Sequence, residues 1–324
     1  MCGVVGLFDL NGQTHFDESV VQAMNESQFH RGPDAGGVHL EQGVAFGHRR
    51  LAIIDLSGGA QPLFNEDHSV VVTYNGEIYN FEALSQELKD KGHIFRTHSD
   101  TEVIVHAWEE WGESCVNRFR GMFVFAIWDR NQQTLFIARD RLGIKPLFYG
   151  VLHDGNVAFS SELKALKTLA NLPREIEPTA IEDYFTFGYI PEPKTIYQGV
   201  YKLRPGHTLT FKVGQPLPEQ KEYWDIPFAP VQDISEDEAQ ERLLALLSEA
   251  VDLRMIAEVP LGAFLSGGVD SSAVVAMMSQ LQDKPVNTCA IGFDVKQFDE
   301  THYADKVAEL FKTNHYKDVV DSDT

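Results

Sequence analysis

Residues 1–12 read MCGVVGLFDLNG, and Cys2 is the residue that has to be explained. From Val4 to Leu10 the stretch is rich in strand formers, and it closes on an Asn-Gly turn signal. As packing alone, Cys2 is a small apolar residue at a strand start. As chemistry it needs a base or a positive neighbour, because the thiolate is the nucleophile. Removal of Met1 would supply one, since Cys2 would then carry an α-amine with a pKa of roughly 8 beside its own sulfur. A small residue at position 2 favours that removal, and Gly3 lets the backbone bend closely around a substrate.

Polar clusters further along break into strand-like surroundings: RGPDAGG (31–37), GHRRLAIIDL (47–56), YNGEIYN (74–80) and HSDTEV (98–103). A cysteine attacking a carboxamide needs donors for the developing oxyanion. The Asn75 side-chain amide and the Gly76 backbone N–H are of the right type, with glycine allowing close approach. An amino-acid substrate also needs its two charged ends held. Arg50 suits a carboxylate through its fork of donors, and Glu77 and Asp100 suit an ammonium. Each feature is ordinary alone, for NG is a common hairpin turn and a single Arg or Asp is commonly a solvated charge. Their conjunction behind Cys2 is what carries weight.

The totals narrow the class. A chain of 324 residues predicts two domains, and 43 % hydrophobic and 11 % aromatic residues suffice for real cores. Lys plus Arg is 27 against 48 Asp plus Glu, a net charge of −21, which argues against a nucleic-acid partner. No apolar run reaches a membrane span and no secretory signal is visible, so no membrane partner is expected. Cys2, Cys115 and Cys289 are odd in number and scattered, the pattern of reduced thiols in a cytoplasmic protein.

Residues 1–214 read as strands and turns with a few helices, consistent with two layers of sheet and helices outside. WDRNQQTLFIARD (128–140) predicts a hairpin with its tip at Asn131–Gln133, and helices are predicted over Asn80–Lys91 and Thr101–Trp111. Residues 215–234 hold four prolines between Gly214 and the next helix and read as a linker. That helix is capped by Ser235, with Glu238 three residues on, and carries Leu243, Leu246, Leu247, Ala250 and Val251 as a stripe for burial. Strand, glycine loop, helix and strand follow, the start of an α/β domain with a parallel sheet over 235–324. HYKDVVDSDT (315–324) reads as a third strand and the loop after it. A doubly wound nucleotide domain usually has on the order of 150 residues, so this one is expected to be incomplete.

SGGVDSS (266–272) lies between an apolar strand and a helix. Glycine-exposed N–H groups at a helix N-terminus welcome a phosphate chain. No Gly-Lys-Ser/Thr closes the loop, so it is not a Walker A motif.

With these motifs in order, the front segment resembles the class II glutamine amidotransferase domain, whose N-terminal-nucleophile hydrolase fold is an αββα sandwich. CGVVG, RGPD, RLAIID, YNGEIYN, SDTEV, GMFVFAIWD, RDRLGIKPLFYG and FSSELKAL carry the likeness. The resemblance implies Cys2 as nucleophile, Asn75 and Gly76 as oxyanion hole, and a glutamine site of Arg50, Leu51, Ala52, Ile53 and Ile54 (read as a strand), Asn75, Gly76, Glu77 and Asp100, with no cofactor in this half. SGGVDSS resembles the pyrophosphate loop of ATP pyrophosphatases, which implies ATP contacts from Leu265, Ser266, Gly267, Gly268, Asp270, Ser271 and Ile291. Leu265 and Ile291 would flank the adenosine. Asp270 is a candidate to help hold Mg²⁺ or simply a helix cap, and the metal ligands stay open. Together the halves resemble the glutamine-hydrolysing asparagine synthetases. There, ammonia from a glutamine thioester crosses a tunnel to an aspartyl-adenylate, so glutamine, ATP and aspartate are the implied substrates and a homodimer is compatible. Another carboxylate acceptor, or a glutamine-binding remnant without turnover, are the alternatives this sequence leaves open.

Overall fold

A computed structural model describes residues 1–228, 233–295, 297 and 299–320, which divide into two compact units, Met1–Pro227 and Phe228–Thr324. In chain order the first unit has β1 (Gly3–Phe8), α1 (Glu18–Glu26), β2 (Ala35–Glu41), β3 (Val44–Arg50), β4 (Leu63–Phe64) and β5 (Val70–Ile78). Then come α2 (Phe81–Asp90), α3 (Asp100–Trp111), β6 (Gly121–Asp129), β7 (Thr134–Arg139), β8 (Phe148–Val151) and β9 (Val157–Ser160). It closes with α4 (Leu163–Leu166), α5 (Pro178–Phe187), β10 (Val200–Lys202), β11 (His207–Lys212) and β12 (Lys221–Glu222).

Two six-stranded antiparallel sheets form, ordered β10-β8-β9-β1-β3-β2 and β12-β11-β7-β6-β5-β4. The period-two alternation of each strand sorts its side chains into layers. Val4 and Phe8 of β1, Phe46, Phe159, Val71, Val124, Ile137 and Phe211 meet between the sheets. From the same strands Val5, Leu7, Ala45 and Ala158 pack outward beneath Val21 and Met24 of α1 and Leu166 of α4. On the other flank Val72, Tyr74, Phe125, Ile127 and Phe136 pack against Leu84 and Leu88 of α2 and Ile104 and Trp108 of α3. Helices, sheet, sheet and helices make the αββα sandwich that the strand patterns lead one to expect. His48 ties the layers: its buried ring lies 2.9 Å from the Tyr74 carbonyl, and burial pushes its pKa down to about 3, so it stays neutral and donates.

The predicted hairpin is β6–β7, and α2 and α3 fall where helices were expected, α3 capped by Ser99 accepting from the Thr101 N–H. The region read as a linker differs. β12 pairs with β11, and the Tyr223 hydroxyl donates to the Arg139 carbonyl at 2.7 Å, so residues 221–223 are folded onto the first unit. Positions 229–232 of that region, and the loop expected at 321–324, lie outside the described residues.

The second unit holds α6 (Glu236–Asp252), β13 (Gly262–Phe264), α7 (Val269–Leu281), β14 (Asn287–Phe293), α8 (Thr301–Phe311) and β15 (Asn314–Val320), its strands all parallel. The Ser235 hydroxyl accepts from the Glu238 N–H at 3.2 Å, as a cap should. The stripe on α6 is not buried as a whole. Val251 is covered and Leu247 packs beside it, but Leu243 and Leu246 are 65 % and 63 % exposed. Only the last turns of the helix reach the sheet unit's small core. Among the described residues no helix is long and apolar enough to cross a membrane.

Gly6, at the centre of β1, gives a direct test of the sandwich, because a Cβ there would meet the Phe159 ring at 2.2 Å. Gly6→Ala is expected to destabilise the first unit by about 1–3 kcal/mol in urea unfolding. Phe159→Leu should cost less in that background than in the wild type, with a coupling of order 1 kcal/mol.

Candidate active site

The β1–β3 ladder ends at Gly3 opposite Arg49, so Cys2 stands one residue beyond the last pair. Its sulfur takes the place of a ladder partner for Leu51: the Leu51 N–H donates to Sγ at 3.4 Å, and the thiol faces the Leu51 carbonyl at 3.6 Å. Arg31 holds the backbone from the other side, with Nε donating to the Cys2 carbonyl at 2.8 Å and Nη1 to Glu162 at 3.0 Å. The thiol opens onto a cleft of about 120 Å³. Met1 lines that cleft too and is more than half exposed.

Across the cleft runs the end of β5. Asn75 is 1 % exposed, yet its Nδ2 has no hydrogen-bond partner. A buried donor left unpaired costs about 1–3 kcal/mol, so folding places an unused amide beside the thiol. At Gly76 a Cβ would come 2.3 Å from the Met122 carbonyl, which is why no side chain fits there.

Glu77 and Asp100 supply the charge. Asp100 opens α3, accepting from the Tyr74 hydroxyl at 2.7 Å and the Ile78 N–H at 2.9 Å. Burial, together with the neighbouring Asp100 carboxylate, pushes Glu77 up to about 8. Burial also raises Asp100, against the hydrogen bonds from Ile78 and Tyr74 that favour its ionised form. Two carboxylates in a poorly hydrated cleft resist ionising together, and a cation between them removes the conflict. Burial likewise raises the Cys2 thiol, partly opposed by the Leu51 N–H and the amino terminus, and reinforced by the two carboxylates. The amino terminus is lowered by burial, with Arg31 and Lys145 adding to that. With Met1 in place, burial thus biases the thiol toward its protonated form and the Met1 amine toward its neutral form.

Of the residues singled out from the sequence, Cys2, Arg50, Leu51, Ile53, Ile54, Asn75, Gly76, Glu77 and Asp100 all line this cleft. Ala52 does not. Its N–H is turned away to Asp34 at 2.9 Å. The strand expected through 51–54 stops at Arg50, because Leu51 gives its N–H to sulfur instead of to a ladder. Arg50 is buried and held by the carbonyls of Ile54, Asp55 and Leu56, and a Cβ on Gly59 would strike its Nη2 at 2.4 Å. Sequence reasoning missed Lys145, which is 4 % exposed and lines the same cleft, its ammonium destabilised by burial and supported by Glu77 and Cys2. The only hint was a lone lysine inside the apolar run LGIKPLF, where a buried charge needs partners.

In the second unit the loop after β13 is open to solvent. Gly267 has φ +82°, and a Cβ there would lie 2.4 Å from that of Tyr303, so only glycine fits. Gly268 caps α7 with nothing but the Ser266 hydroxyl near its free face, and the Ser266 and Ser271 hydroxyls are 3.1 Å apart. Asp270 is exposed in the first turn of α7. Ile291 lies on the uncovered face of β14, 58 % exposed. Leu265 is 1 % exposed and packs with Val275, Ala290 and Ala304, so its side chain is unavailable to an adenosine and only its backbone can face one.

A family profile described as glutamine amidotransferase domain matches residues 1–224, and one described as asparagine synthase matches 242–324. Asparagine synthetase [glutamine-hydrolyzing] 1 of Bacillus subtilis (strain 168) is 38 % identical over 322 residues, covering 99 % of this chain and 50 % of its own length. A putative asparagine synthetase [glutamine-hydrolyzing] 2 of Methanocaldococcus jannaschii is 38 % identical, covering 98 % of this chain and 64 % of its own. The chain thus spans about half the length of the first curated relatives it matches. Among solved structures, an allosteric regulatory enzyme of purine biosynthesis superposes with a TM-score of 0.50 at 16 % identity, over 98 % of this chain and 80 % of its own, a likeness of fold.

The carboxylate pair predicts a pH signature. With Glu77 raised to about 8, the folded protein binds a proton that the unfolded chain has lost above about pH 4.5, so Glu77 makes stability fall as pH rises from there to about 8. Glu77→Gln should flatten the decline in thermal midpoint between pH 5 and pH 8 (buffers chosen for about that range). An unchanged slope would exclude Glu77 as its source.

Proposed function

Because the chain belongs to the glutamine amidotransferase domain family, we propose that its first unit hydrolyses glutamine at Cys2 and that its second serves an ATP-dependent synthetase which amidates aspartate with the released ammonia. The reading rests on one observation: the Cys2 thiol, an unpartnered buried Asn75 amide and an acidic pair share one cleft of about 120 Å³.

Loss of Met1 makes the amine at this position that of Cys2 itself. Glutamine binds with its ammonium toward Glu77 and Asp100 and its carboxylate toward Arg50, which directs the carboxamide at Cys2. The thiol proton passes to the α-amine as sulfur adds to the carboxamide carbon. The oxyanion is held by the Asn75 amide and the Gly76 N–H, and the unpartnered Asn75 amide supports that reading. Collapse breaks the C–N bond, the amine returns the proton to nitrogen, and ammonia leaves a thioester. Water, deprotonated by the same amine, adds to that thioester and releases glutamate. Lys145, between Cys2 and Glu77 in charge terms, stabilises negative charge on either.

In the second unit, Ser266, Gly267, Gly268 and Ser271 would take the phosphates of ATP at the α7 N-terminus, with Asp270 placed to help hold Mg²⁺ and Ile291 against the adenosine. Their open glycines, hydroxyls and helix terminus suit an anion. Bound ATP supplies the adenylate that activates the acceptor carboxylate. Reduced, scattered cysteines fit a cytoplasmic setting.

Glutamate release by the purified chain, with intact mass on the same sample, tests the first half. Cys2→Ala is expected to reduce release to background with the fold kept, and wild-type turnover would refute the nucleophile. Protein made to retain Met1 should be equally inactive; full activity would refute the internal base. Asn75→Ala should lower kcat by about 10²–10³-fold, while Asp100→Ala should mainly raise the glutamine KM.

A further inference from the structure

Behind α3, away from the cleft-lining Asp100, the described residues bring together His93, His106, Glu66 and Glu109, one ligand atom of each lying within 4.8 Å of the others. They come from three segments: Glu66 from the β4–β5 turn, His93 from the α2–α3 connection, and His106 and Glu109 from α3. His106 is fully buried. Its Nδ1 lies 3.1 Å from Glu109 Oε2 and 3.2 Å from Glu66 Oε2. His93 Nδ1 lies 3.7 Å from Glu109 Oε2 and 3.9 Å from Glu66 Oε1. Bonds of about 2.0–2.1 Å to a tetrahedral ion give ligand–ligand edges of about 3.3–3.5 Å. The two contacts of His106 are close to that spacing, those of His93 are 3.7 and 3.9 Å, and all four residues keep a ligand atom within 4.8 Å of the others.

A second feature separates this cluster from an ordinary ion-pair network. Glu66 Oε2 is buried and has no hydrogen-bond partner, although His106 Nδ1 is 3.2 Å away. His106 Nδ1 is engaged with Glu109 Oε2 at 3.1 Å, so the buried Glu66 oxygen beside it is left unspent. The far nitrogen of His106 has no hydrogen-bond partner, and a carboxylate lies on that side. Glu102 faces the far nitrogen of His106 at 3.6 Å and is itself gripped by the Arg96 N–H, the Thr97 N–H and the Thr97 hydroxyl at 2.8, 2.7 and 2.6 Å. Asn65 Nδ2 donates to Glu109 Oε1 at 2.7 Å, leaving Oε2 to the cluster.

We propose that His93, His106, Glu66 and Glu109 bind a divalent transition metal of the zinc type. Two imidazoles and two carboxylates around one point suit zinc better than calcium or magnesium, which prefer all-oxygen shells. Glu102, Glu109 and Glu66 all face His106, at 3.6, 3.1 and 3.2 Å. A divalent ion gives the same carboxylates two charges at one point. It ties the β4–β5 turn and the α2–α3 connection to the helix whose first residue, Asp100, lines the Cys2 cleft. The proposal does not depend on the glutaminase reading.

The test uses the full chain stripped with EDTA and titrated with Zn²⁺ alone. One zinc per chain is expected to survive gel filtration, and zinc at a hundredfold excess over its Kd should lower the unfolding constant about a hundredfold. His93→Gln and Glu109→Gln, each checked by circular dichroism, should weaken binding at least tenfold, while Cys2→Ala keeps it. X-ray absorption of the zinc-loaded wild type should show nitrogen and oxygen ligands without sulfur, a readout that needs no variant to fold. Failure to retain zinc, retention unchanged in both variants, loss in Cys2→Ala, or sulfur in the first coordination sphere would each overturn the assignment.

Discussion

β1 is wedged between β3 and β9 with both faces buried, and the site hangs from that placement. Val4 and Phe8 point into the layer between the sheets while Val5 and Leu7 point under α1. A one-residue slip would exchange the two sets and bring the Phe159 ring against a side chain where Gly6 now lies. Register is therefore fixed by packing several residues away from the thiol. Cys2 follows the last ladder pair and has nowhere to go except the cleft mouth, where Leu51 and Arg31 complete its hold.

The buried carboxylates of the first unit fall into two kinds. Asp9 accepts from the Asn11, Gln13 and Thr14 N–H groups and from the Thr14 hydroxyl, and these bonds outweigh burial to lower its pKa. Its work is to close a turn. Glu77 and Asp100 shift the other way, with burial and each other's charge dominating. The same contrast holds among amides: Asn25 spends its amide on the His48 carbonyl, while that of Asn75 is unspent. Asp9 and the Asn25 amide nitrogen are spent inside the sandwich, while Glu77, Asp100 and the Asn75 amide line the cleft.

The parallel sheet of the second unit shows its alternation plainly. Thr288, Ala290 and Gly292 are buried, whereas Cys289, Ile291 and Phe293 are exposed on the opposite face, beside Phe264 and Tyr316 in register. Parallel sheets are normally covered on both faces. Here α7 and α8 pack on one, the face that also takes Leu265 into its core.

Local pattern was enough for much of this. Alternating Val, Ile and Phe predicted the strands, Ser235 a helix start, and the glycines of SGGVDSS an open turn before α7, because each signal acts over a few neighbouring residues. Cys2, Arg50, Asn75, Glu77 and Asp100 could be grouped by chemistry before any coordinates. Folding in three dimensions was needed to place β1 between β3 and β9, to bring Lys145 and Arg31 to the thiol, to stop β3 at Arg50 and to bury Leu265 while leaving Leu243 and Leu246 in the open. It also set His93 and Glu66 against His106, residues from three segments with no shared periodicity. A two- or 3.6-residue period states which face a side chain occupies. Which other face it meets is settled by long-range pairing, and long-range pairing leaves no mark in a short window of sequence.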